Sequence, residues 1–369
     1  MFSQLPLAVF SMMIPAIFHR PSRFSYSSQW CIGLLPLLLQ PVIVHATILD
    51  SRSQTLASTN GTTSVWIIED TYAGETFFDT FDFFTGPDPT HGTVNYTTEE
   101  FAFANGLAFV TDNIVYMKGD NTTWLAPNVN RNSVRISSQK QYNTGLFILD
   151  ANKAPWGCGV WPAWWTLGGG QWPYTGEIDI IEGVHDNEHN QVTWHTGPSA
   201  CANANFTGSI VTTNGQPNLV CDGGGVFAMK WDDEGIAVWS FYRAAVPQDI
   251  IDGVPSPSSW GIPVAVLEPS GCDPITNFVN HSIVFDITFC GDWAGNSYAT
   301  SGCPGTCPDH LQDPSNFDDA EWSINTLKVY KKVTLQGPAV NAAEHLIFET
   351  ARWTSWVLIP VIIVGIFWV

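Results

Sequence analysis

The stretch Gly176-Glu177-Ile178-Asp179-Ile180-Ile181-Glu182-Gly183 interleaves three carboxyl side chains with three isoleucines. Alternation of apolar and charged residues is typical of a half-buried β-strand. Successive strand side chains point to opposite faces, so Glu177 and Asp179 share one face. Glu182 follows three positions later and would fall on the other face unless a one-residue β-bulge restored the phase. We therefore predict a bulged strand that presents all three carboxyls on one face.

Paired carboxyl groups of this kind suit a particular chemistry. Glycosidases use two Asp or Glu residues that flank the scissile glycosidic bond. The alternative is an acidic strand edge that faces solvent. The three interleaved isoleucines disfavour that alternative, because they indicate a buried opposite face. The stretch therefore favours a glycosidase-type site over a plain surface strand.

The composition excludes several classes of partner. The chain has 369 residues, a formal net charge of −20 and only 14 Lys and Arg residues. Binding to nucleic acid or to anionic lipid depends on Lys and Arg, so neither is expected. Hydrophobic residues make up 45% of the sequence, which is enough for a sizeable core. A neutral polysaccharide is compatible with this charge, and the 17 tryptophans include candidates for stacking on sugar rings.

The N-terminal region has the composition of a secretory leader. An apolar stretch covers residues 30–44, follows two arginines and is followed by His45 and Ala46. This order predicts a leader over residues 1–46 with cleavage after Ala46, and hence a secreted protein. A second apolar stretch at residues 5–18 leaves open a later start or an unusually long leader, and an uncleaved anchor is the alternative.

The C-terminal region has the composition of a lipid-anchor signal. Residues 356–369 are apolar, and no basic segment follows them. They are short for a membrane-spanning helix, which needs about 20 residues. Small residues at 341–343 and a spacer at 344–355 precede them, which is typical of a GPI signal with attachment at or near Asn341. We expect the protein on the cell surface, held at the membrane by this anchor; a tail helix is the alternative.

These features divide the chain into four parts. The expected order is the leader at 1–46, a Ser/Thr-rich linker at 47–63, the folded catalytic domain at 64–336 and the anchor signal with its spacer at 337–369. Five sequons agree with passage through the secretory route: Asn60, Asn95, Asn121, Asn205 and Asn280.

The cysteine content also agrees with secretion, with eight residues in the chain. Cys31 lies in the predicted leader, which leaves seven, so at least one should have no partner within the chain. Cys303 and Cys307 lie in one Gly/Pro-rich loop and could pair locally. No second cysteine pair or histidine cluster accompanies them, so no zinc site is predicted.

Short β-type runs separated by Gly, Asn, Pro and Asp recur along the folded part of the chain. The clearest runs are 133–137, 145–148, 192–195, 236–242, 283–289 and 327–330. Short strands at regular spacing with turn signals predict an all-β sandwich or barrel. The Gly-rich loop at 168–170 lacks the Lys-Ser/Thr pair and the helix that a phosphate cradle needs.

Several motifs around the carboxylate strand point to one family. They are RNSVR at 131–135, GCGVWPAWW at 157–165, WP at 172–173, GEIDIIEGV at 176–184, VTWHT at 192–196, GGGVF at 223–227 and CGDWAG at 290–295. Together they resemble the fungal laminarinase-like branch of glycoside hydrolase family 16, over nearly all of residues 72–330. The resemblance implies a β-jelly-roll sandwich of the concanavalin A-like type. It also implies endo cleavage of β-1,3 and mixed β-1,3/1,4 glucans with retention. We expect a monomer that needs neither a cofactor nor a metal.

The resemblance implies a role for each carboxyl group. Glu177 is the expected nucleophile, Glu182 the general acid and then base, and Asp179 the carboxyl that orients Glu177. Four further residues match family positions near the sugar, and each could instead have a structural role: Trp165, Trp172, His195 and Trp293.

Two other functions remain open. A cell-wall glucan transglycosylase would use the same two glutamates and pass the glycosyl group to a sugar hydroxyl. The related transglycosylases generally have a shorter Glu-x-Asp-x-Glu core without the bulge, so the longer core here favours hydrolysis. A non-catalytic glucan-binding module would have no need of both Glu177 and Glu182.

Overall fold

The computed structural model describes residues 60–186, 189–197, 201, 206–208 and 224–338, and the structural statements below concern those residues. The predicted leader, Asn205, Asn341 and the chain beyond Pro338 lie outside them. No helix in the described ranges is long and apolar enough to cross a membrane.

Strands are the main regular secondary structure of the described chain. They are β1 (Asn60–Tyr72), β2 (Phe81–Phe83), β3 (Val94–Tyr96), β4 (Ala108–Thr111), β5 (Ile114–Lys118), β6 (Arg131–Ser133), β7 (Arg135–Tyr142), β8 (Gly145–Lys153), β9 (Val160–Gly168), β10 (Glu177–Glu182), β11 (Thr193–His195), β12 (Phe206–Gly208), β13 (Gly225–Asp232), β14 (Gly235–Tyr242), β15 (Ala265–Leu267), β16 (His281–Phe289) and β17 (Glu321–Pro338).

Helices are short and lie in the connections. The α-helices are α1 (Glu99–Ala104), α2 (Gln248–Ile251), α3 (Pro274–Asn277) and α4 (Cys307–His310). Single turns of 3₁₀-helix occur at Gly74–Thr76, Phe78–Thr80, Arg243–Ala245, Pro257–Ser259, Tyr298–Thr300 and Pro314–Phe317, and a π-turn occurs at Gly291–Gly295.

Two antiparallel sheets form the body of the described chain. One has nine strands in the order β12-β15-β14-β13-β8-β17-β5-β4, with β1 also paired to β17. The other has six strands in the order β11-β10-β9-β16-β7-β2. Both sheets end in edge strands, so the described residues form a sandwich rather than a closed barrel. The predicted all-β sandwich is confirmed.

Alternation along the central strands separates the core from the outer faces. In β8, Phe147 packs in the main core between the sheets, whereas Ile148 joins a separate cluster on the outer face of the nine-stranded sheet. In β9, Trp164 packs in the main core, whereas Trp165 lies on the outer face of the six-stranded sheet. Burial of apolar area at about 25 cal/mol per Å² stabilises this arrangement. It leaves one face of β9 and β10 for a site.

The strands extend slightly past the predicted ends of the folded domain. β1 begins at Asn60 and pairs with β17, in a register that joins Asn60 to Pro338. The sequence placed 60–63 in a linker because Ser and Thr are abundant there, but cross-strand pairing orders these residues. Among the predicted sequons, the Asn95 and Asn280 side chains are exposed. The Asn121 amide donates to Asp318.

Three disulfides join distant parts of the described chain: Cys158–Cys303, Cys201–Cys272 and Cys290–Cys307. The suggested pairing of Cys303 with Cys307 is therefore wrong. The loop that carries both cysteines passes the start of β9 and the end of β16, and each sulfur reaches a different neighbour. Cys221, the remaining one of the seven cysteines that follow the predicted leader, lies outside the described residues.

Arg131 is a fully buried cation that links the connection between β5 and β6 to the connection between α4 and β17. Its guanidinium donates to the carbonyl oxygens of Asp120 at 2.5 Å, Thr123 at 3.2 Å and Leu311. It also lies 4.5 Å from the centre of the Phe317 ring. The planar fork of donors explains why Arg occupies this position, because a single ammonium could not reach all three carbonyls.

We expect Arg131→Lys to lower the free energy of unfolding by about 2–4 kcal/mol, because it leaves buried carbonyl oxygens without donors. Urea denaturation measures this change. The matched control is Lys331→Arg on an exposed position of β17, which should change the free energy of unfolding by less than about 0.5 kcal/mol. Equal midpoints for the two variants would contradict the assigned role of the guanidinium.

Candidate active site

The predicted bulge lies in the middle of β10. Asp179 pairs with Trp165 and Ile181 pairs with Trp164, so Ile180 is the extra residue opposite two consecutive residues of β9. The insertion returns Glu182 to the face that carries Glu177 and Asp179. The bulge predicted from the sequence is confirmed.

The three carboxyl groups line one cleft of about 570 Å³ on the outer face of the six-stranded sheet. Ile178, Ile180 and Ile181 are fully buried in the main core on the opposite face. The residues that also line the cleft include Tyr96, Arg135, Trp161, Trp165, Trp172, His195 and Asp286.

Gly176 sets the entry of the chain into β10. Its φ is +84°, a conformation that L side chains rarely adopt. A Cβ at this position would lie 2.5 Å from the Phe278 ring and 2.6 Å from the Asn277 carbonyl oxygen. Only glycine therefore allows the loop before β10 to pack against the end of α3 and the residue after it while Glu177 faces the cleft.

Two neighbours hold the Glu177 carboxyl. The indole N–H of Trp172 donates to Oε2 at 3.0 Å. His195, which is opposite Glu177 in the β10–β11 register, places Nε2 3.5 Å from Oε1. Trp172 itself is 56% exposed, so one face of its ring remains available to a ligand.

Glu182 has a different set of neighbours. The indole N–H of Trp161 donates to its Oε1 at 2.9 Å. Asn190 braces the bulge, because its side-chain oxygen accepts from the Glu182 backbone N–H at 2.9 Å and its amide donates to the Ile180 carbonyl at 2.7 Å. These bonds satisfy backbone groups that a bulge takes out of the strand ladder.

Asp179 lies between the two glutamates and is 3% exposed. Its Oδ2 atom has no hydrogen-bond partner among the described residues. His195 Nε2 lies 3.3 Å away, in a geometry that does not form a hydrogen bond. Such a buried carboxyl is costly to ionise without a partner.

Burial raises the pKa of every carboxyl group in the cleft floor: Glu177, Asp179, Glu182 and Asp286. The negative charge of Asp179 raises the pKa values of Glu177 and Glu182 further, and that of Asp286 raises the pKa of Asp179. Mutual repulsion in a poorly solvated cleft therefore keeps some of these groups protonated near neutral pH.

The two glutamates differ in what opposes this rise. Burial and the charge of Asp179 raise the pKa of Glu177. Three neighbours lower it: His195, Trp172 and Arg135. The pKa of Glu182 is lowered only by the hydrogen bond from Trp161. Positive charge thus lies on the Glu177 side of the cleft. Glu177 ionises more readily, and Glu182 keeps its proton to higher pH.

The remaining predicted residues occupy different positions. Trp165 is only 8% exposed and forms part of the cleft floor, where its N–H donates to Asp286 at 3.3 Å and the Arg135 guanidinium lies 5.0 Å from its ring. Trp293 packs edge-to-face against Trp161 at 5.7 Å between ring centres. It therefore supports a partner of Glu182.

A buried histidine secures the loop that carries Trp293. His185 Nδ1 accepts from the Gly159 backbone N–H at 3.0 Å, so Nε2 carries the proton and donates to Ser297 Oγ at 2.9 Å. Ser297 Oγ in turn donates to the Trp293 carbonyl at 2.7 Å. This series of bonds ties the π-turn to the beginning of β9 and to the residues after β10.

Two residues of the site, Trp161 and Asn190, were not predicted as site residues from the sequence. Trp161 could have been found from strand alternation. In Trp161-Pro162-Ala163-Trp164-Trp165, the side chains of Trp161 and Trp165 point to one face of the sheet and that of Trp164 points to the other. Asn190 carried no comparable signal, because it acts from a loop that returns to the bulge.

The sequence matches a family model described as "XgeA-like, catalytic GH16 domain" over residues 81–221 and 212–330. A probable glycosidase of Schizosaccharomyces pombe is 41% identical over 288 residues, which are 70% of this chain and 68% of that protein. A probable endo-1,3(4)-β-glucanase of Aspergillus niger is 39% identical over 299 residues, 73% of this chain and 40% of that protein. The chain thus spans between two fifths and about two thirds of the length of these relatives.

Solved structures agree with the family match. Laminarinase 16A of Phanerochaete chrysosporium, solved with 6-O-glucosyl-laminaritriose in both donor and acceptor sites, is 36% identical with a TM-score of 0.68, and the match covers 73% of this chain and all of that one. An elongating family 16 β-1,3-glucosyltransferase is 36% identical with a TM-score of 0.63, over 72% of this chain and all of that one. The predicted jelly-roll sandwich is confirmed, and the chain belongs to glycoside hydrolase family 16.

Proposed function

We propose that the chain is a retaining endo-β-glucanase that hydrolyses β-1,3 and mixed β-1,3/1,4 glucans. The observation that carries the proposal is the bulged strand β10, which presents Glu177 and Glu182 to one cleft with unequal surroundings. Retaining glycosidases need two carboxyl groups in one site, one ionised and one protonated. The cleft provides that difference.

In the first step, Glu182 donates its proton to the glycosidic oxygen while the Glu177 carboxylate attacks the anomeric carbon. The bond to the leaving chain breaks and a glycosyl–enzyme ester forms. Trp172 donates a hydrogen bond to Glu177 and His195 lies 3.5 Å from it, and both neighbours favour its ionised form. Burial favours the protonated form of Glu182.

In the second step, the ionised Glu182 removes a proton from water, which attacks the anomeric carbon and releases Glu177. The Glu182 pKa should fall once Glu177 is esterified and no longer negative, which suits the change from acid to base. Asp179 is the orienting carboxyl. Since it is buried between the glutamates, a protonated Asp179 can donate to Glu177, whereas an ionised one repels both.

The substrate class follows from charge and from relatives. The cleft is lined by six carboxyl groups, one arginine and one histidine, so an anionic polymer would be repelled. Relatives named endo-1,3(4)-β-glucanase include that of Arthroderma benhamiae, which is 39% identical over 73% of this chain and 66% of that protein. A neutral β-glucan agrees with both observations.

Transglycosylation is the second candidate. The likeness to the elongating β-1,3-glucosyltransferase favours it, because that enzyme has the same fold at 36% identity. Both reactions pass through the same glycosyl–enzyme and differ only in whether water or a sugar hydroxyl attacks it. Product analysis on laminarin separates the two, since hydrolysis gives only shorter chains and transfer also gives longer ones.

We also propose that the enzyme is a monomer that acts outside the cell, held at its surface by a GPI anchor. Three disulfides and five sequons support an extracellular location, because disulfides persist in oxidising compartments. Small residues, a spacer and an apolar tail at 341–369 support the anchor.

Substitution of the two glutamates should have different consequences. Glu182→Gln should reduce laminarin hydrolysis by about 10²–10⁴-fold, since it removes general acid catalysis. The same substitution should reduce the rate of the first step far less on aryl glycosides with good leaving groups, because these need little acid help. Glu177→Gln should abolish turnover of both substrates, and azide should partly restore Glu177→Gly with an inverted product. Equal losses on both substrates for Glu182→Gln would refute its assignment as the acid.

Trp172 and Trp161 each donate an indole hydrogen bond to one of the two glutamates. Removing one donor at a time should shift one limb of the pH profile of kcat/KM, and a different limb in each variant. The acid limb reports ionisation of Glu177, and the basic limb reports loss of the Glu182 proton. Each hydrogen bond lowers the pKa of its acceptor. Trp172→Phe should therefore move the acid limb to higher pH, and Trp161→Phe should move the basic limb to higher pH. Each variant controls for the other, and a shift of the same limb in both would contradict the assignments.

The anchor has its own test in eukaryotic cells that express the full chain. Phospholipase C should release the active enzyme from the cell surface, because it cleaves the lipid of the anchor. A chain that ends at Val340 should enter the medium in active form without phospholipase. Continued attachment after treatment, with an intact Val369 terminus by mass spectrometry, would refute the GPI anchor and favour a tail helix.

A further inference from the structure

Three side chains of the cleft present possible metal ligands to a common point. One ligand atom each from Glu177, Asp179 and His195 lies within 4.8 Å of the other two. Within the described ranges, these residues are the only group of three His, Cys, Asp or Glu side chains with this property. Two come from β10 and the third from the facing position of β11, so the sheet fixes their relative positions.

The contacts within this group are poor hydrogen bonds. His195 Nε2 lies 3.3 Å from Asp179 Oδ2 and 3.5 Å from Glu177 Oε1. Hydrogen bonds between charged groups are shorter, at about 2.7–2.9 Å. Asp179 Oδ2 is buried and has no hydrogen-bond partner in the described part of the chain. A buried carboxyl oxygen that faces the cleft without a donor is costly, and a ligand would relieve that cost.

The same distances fit the edges of a coordination tetrahedron. Zn²⁺ binds imidazole nitrogen and carboxylate oxygen at about 2.0–2.2 Å, so neighbouring ligand atoms lie about 3.3–3.5 Å apart. The distances from His195 Nε2 to Glu177 Oε1 and to Asp179 Oδ2 already have these values in the structure. A small approach of the two carboxyl oxygens would complete a three-ligand face, and the fourth position would open towards the cleft.

We propose that Glu177, Asp179 and His195 bind a Zn²⁺ ion, which reversibly blocks the cleft. One imidazole and two carboxylates match the preference of zinc for nitrogen and oxygen ligands. Two carboxylate charges neutralise the ion. Ca²⁺ and Mg²⁺ fit poorly, since they prefer six or more oxygen ligands and have little affinity for imidazole.

The consequence for activity rests on the proposed function. A carboxylate that coordinates a metal cannot attack an anomeric carbon, and the ion would also occupy the space of the sugar ring. Zn²⁺ should therefore inhibit laminarin hydrolysis in competition with substrate, and a chelator should restore the rate. Binding of the ion itself does not depend on this consequence.

Isothermal titration of the full chain with ZnCl₂ tests the site directly. We expect one site of highest affinity, with affinity at least about tenfold lower in His195→Gln and in Asp179→Asn. The matched control is His91→Gln, which removes a histidine that pairs with Asp292 at 2.8 Å but is 80% exposed. It should leave zinc affinity unchanged. CaCl₂ and MgCl₂ should give no heat from this site. CoCl₂ should give the strong visible absorption of tetrahedral cobalt in the unchanged chain and in His91→Gln, but not in His195→Gln or Asp179→Asn.

Each outcome bears on the proposal. Unchanged zinc affinity in both His195→Gln and Asp179→Asn, or the absence of zinc binding to the unchanged chain, would overturn it. Circular dichroism checks that the variants are folded, and the cobalt spectrum separates a three-ligand site from a surface histidine. If zinc binds as proposed but the unchanged chain does not cleave any glucan, the proposed function fails and the metal site stands. If glucan is cleaved and zinc does not bind, only the metal site fails.

Discussion

The extra residue Ile180 in β10 is the constraint on which the rest of the site depends. Without it, Glu182 would point into the main core, where an unpaired carboxyl would be costly to bury. With it, three carboxyl groups face one cleft while three isoleucines stay in the core. The bulge is stabilised by Asn190, whose side chain bonds to the backbone on both sides of it. A local irregularity of the backbone therefore creates the juxtaposition that the chemistry needs.

The electrostatics of the cleft follow from that juxtaposition. Burial and mutual repulsion raise the pKa values of the carboxyl groups together, which alone would leave the glutamates equivalent. Their neighbours make them different, because His195 and Arg135 act on Glu177, whereas Glu182 has only the indole of Trp161. The division between nucleophile and acid is thus made by side chains that three other strands of the same sheet, β11, β9 and β7, bring to the cleft. Burying these charges lowers the stability of the fold. An extensive apolar core and the disulfides Cys158–Cys303 and Cys290–Cys307 offset that loss.

The same geometry explains why one cleft supports more than one outcome. A glycosyl group held on Glu177 can pass to water or to a sugar, and the carboxyl groups are required equally in both cases. A carboxylate that faces the cleft can attack carbon, and the same oxygen atoms could bind a metal ion. The position of His195, near both Glu177 and Asp179 without a proper hydrogen bond to either, is consistent with both properties.

The sequence by itself determined the strand at 177–182, its bulge, the face shared by the three carboxyls and the all-β class, because these depend on local alternation along the chain. It did not reveal Trp161 as the donor to Glu182 or Asn190 as the brace of the bulge, since these contacts join β9 and a returning loop to β10. The suggested Cys303–Cys307 pair failed for the same reason: closeness in sequence says little about which strand ends lie beside a loop. Only the tertiary structure decided the difference between the two glutamates, because the pKa of a buried group depends on the charges and donors that packing brings near it.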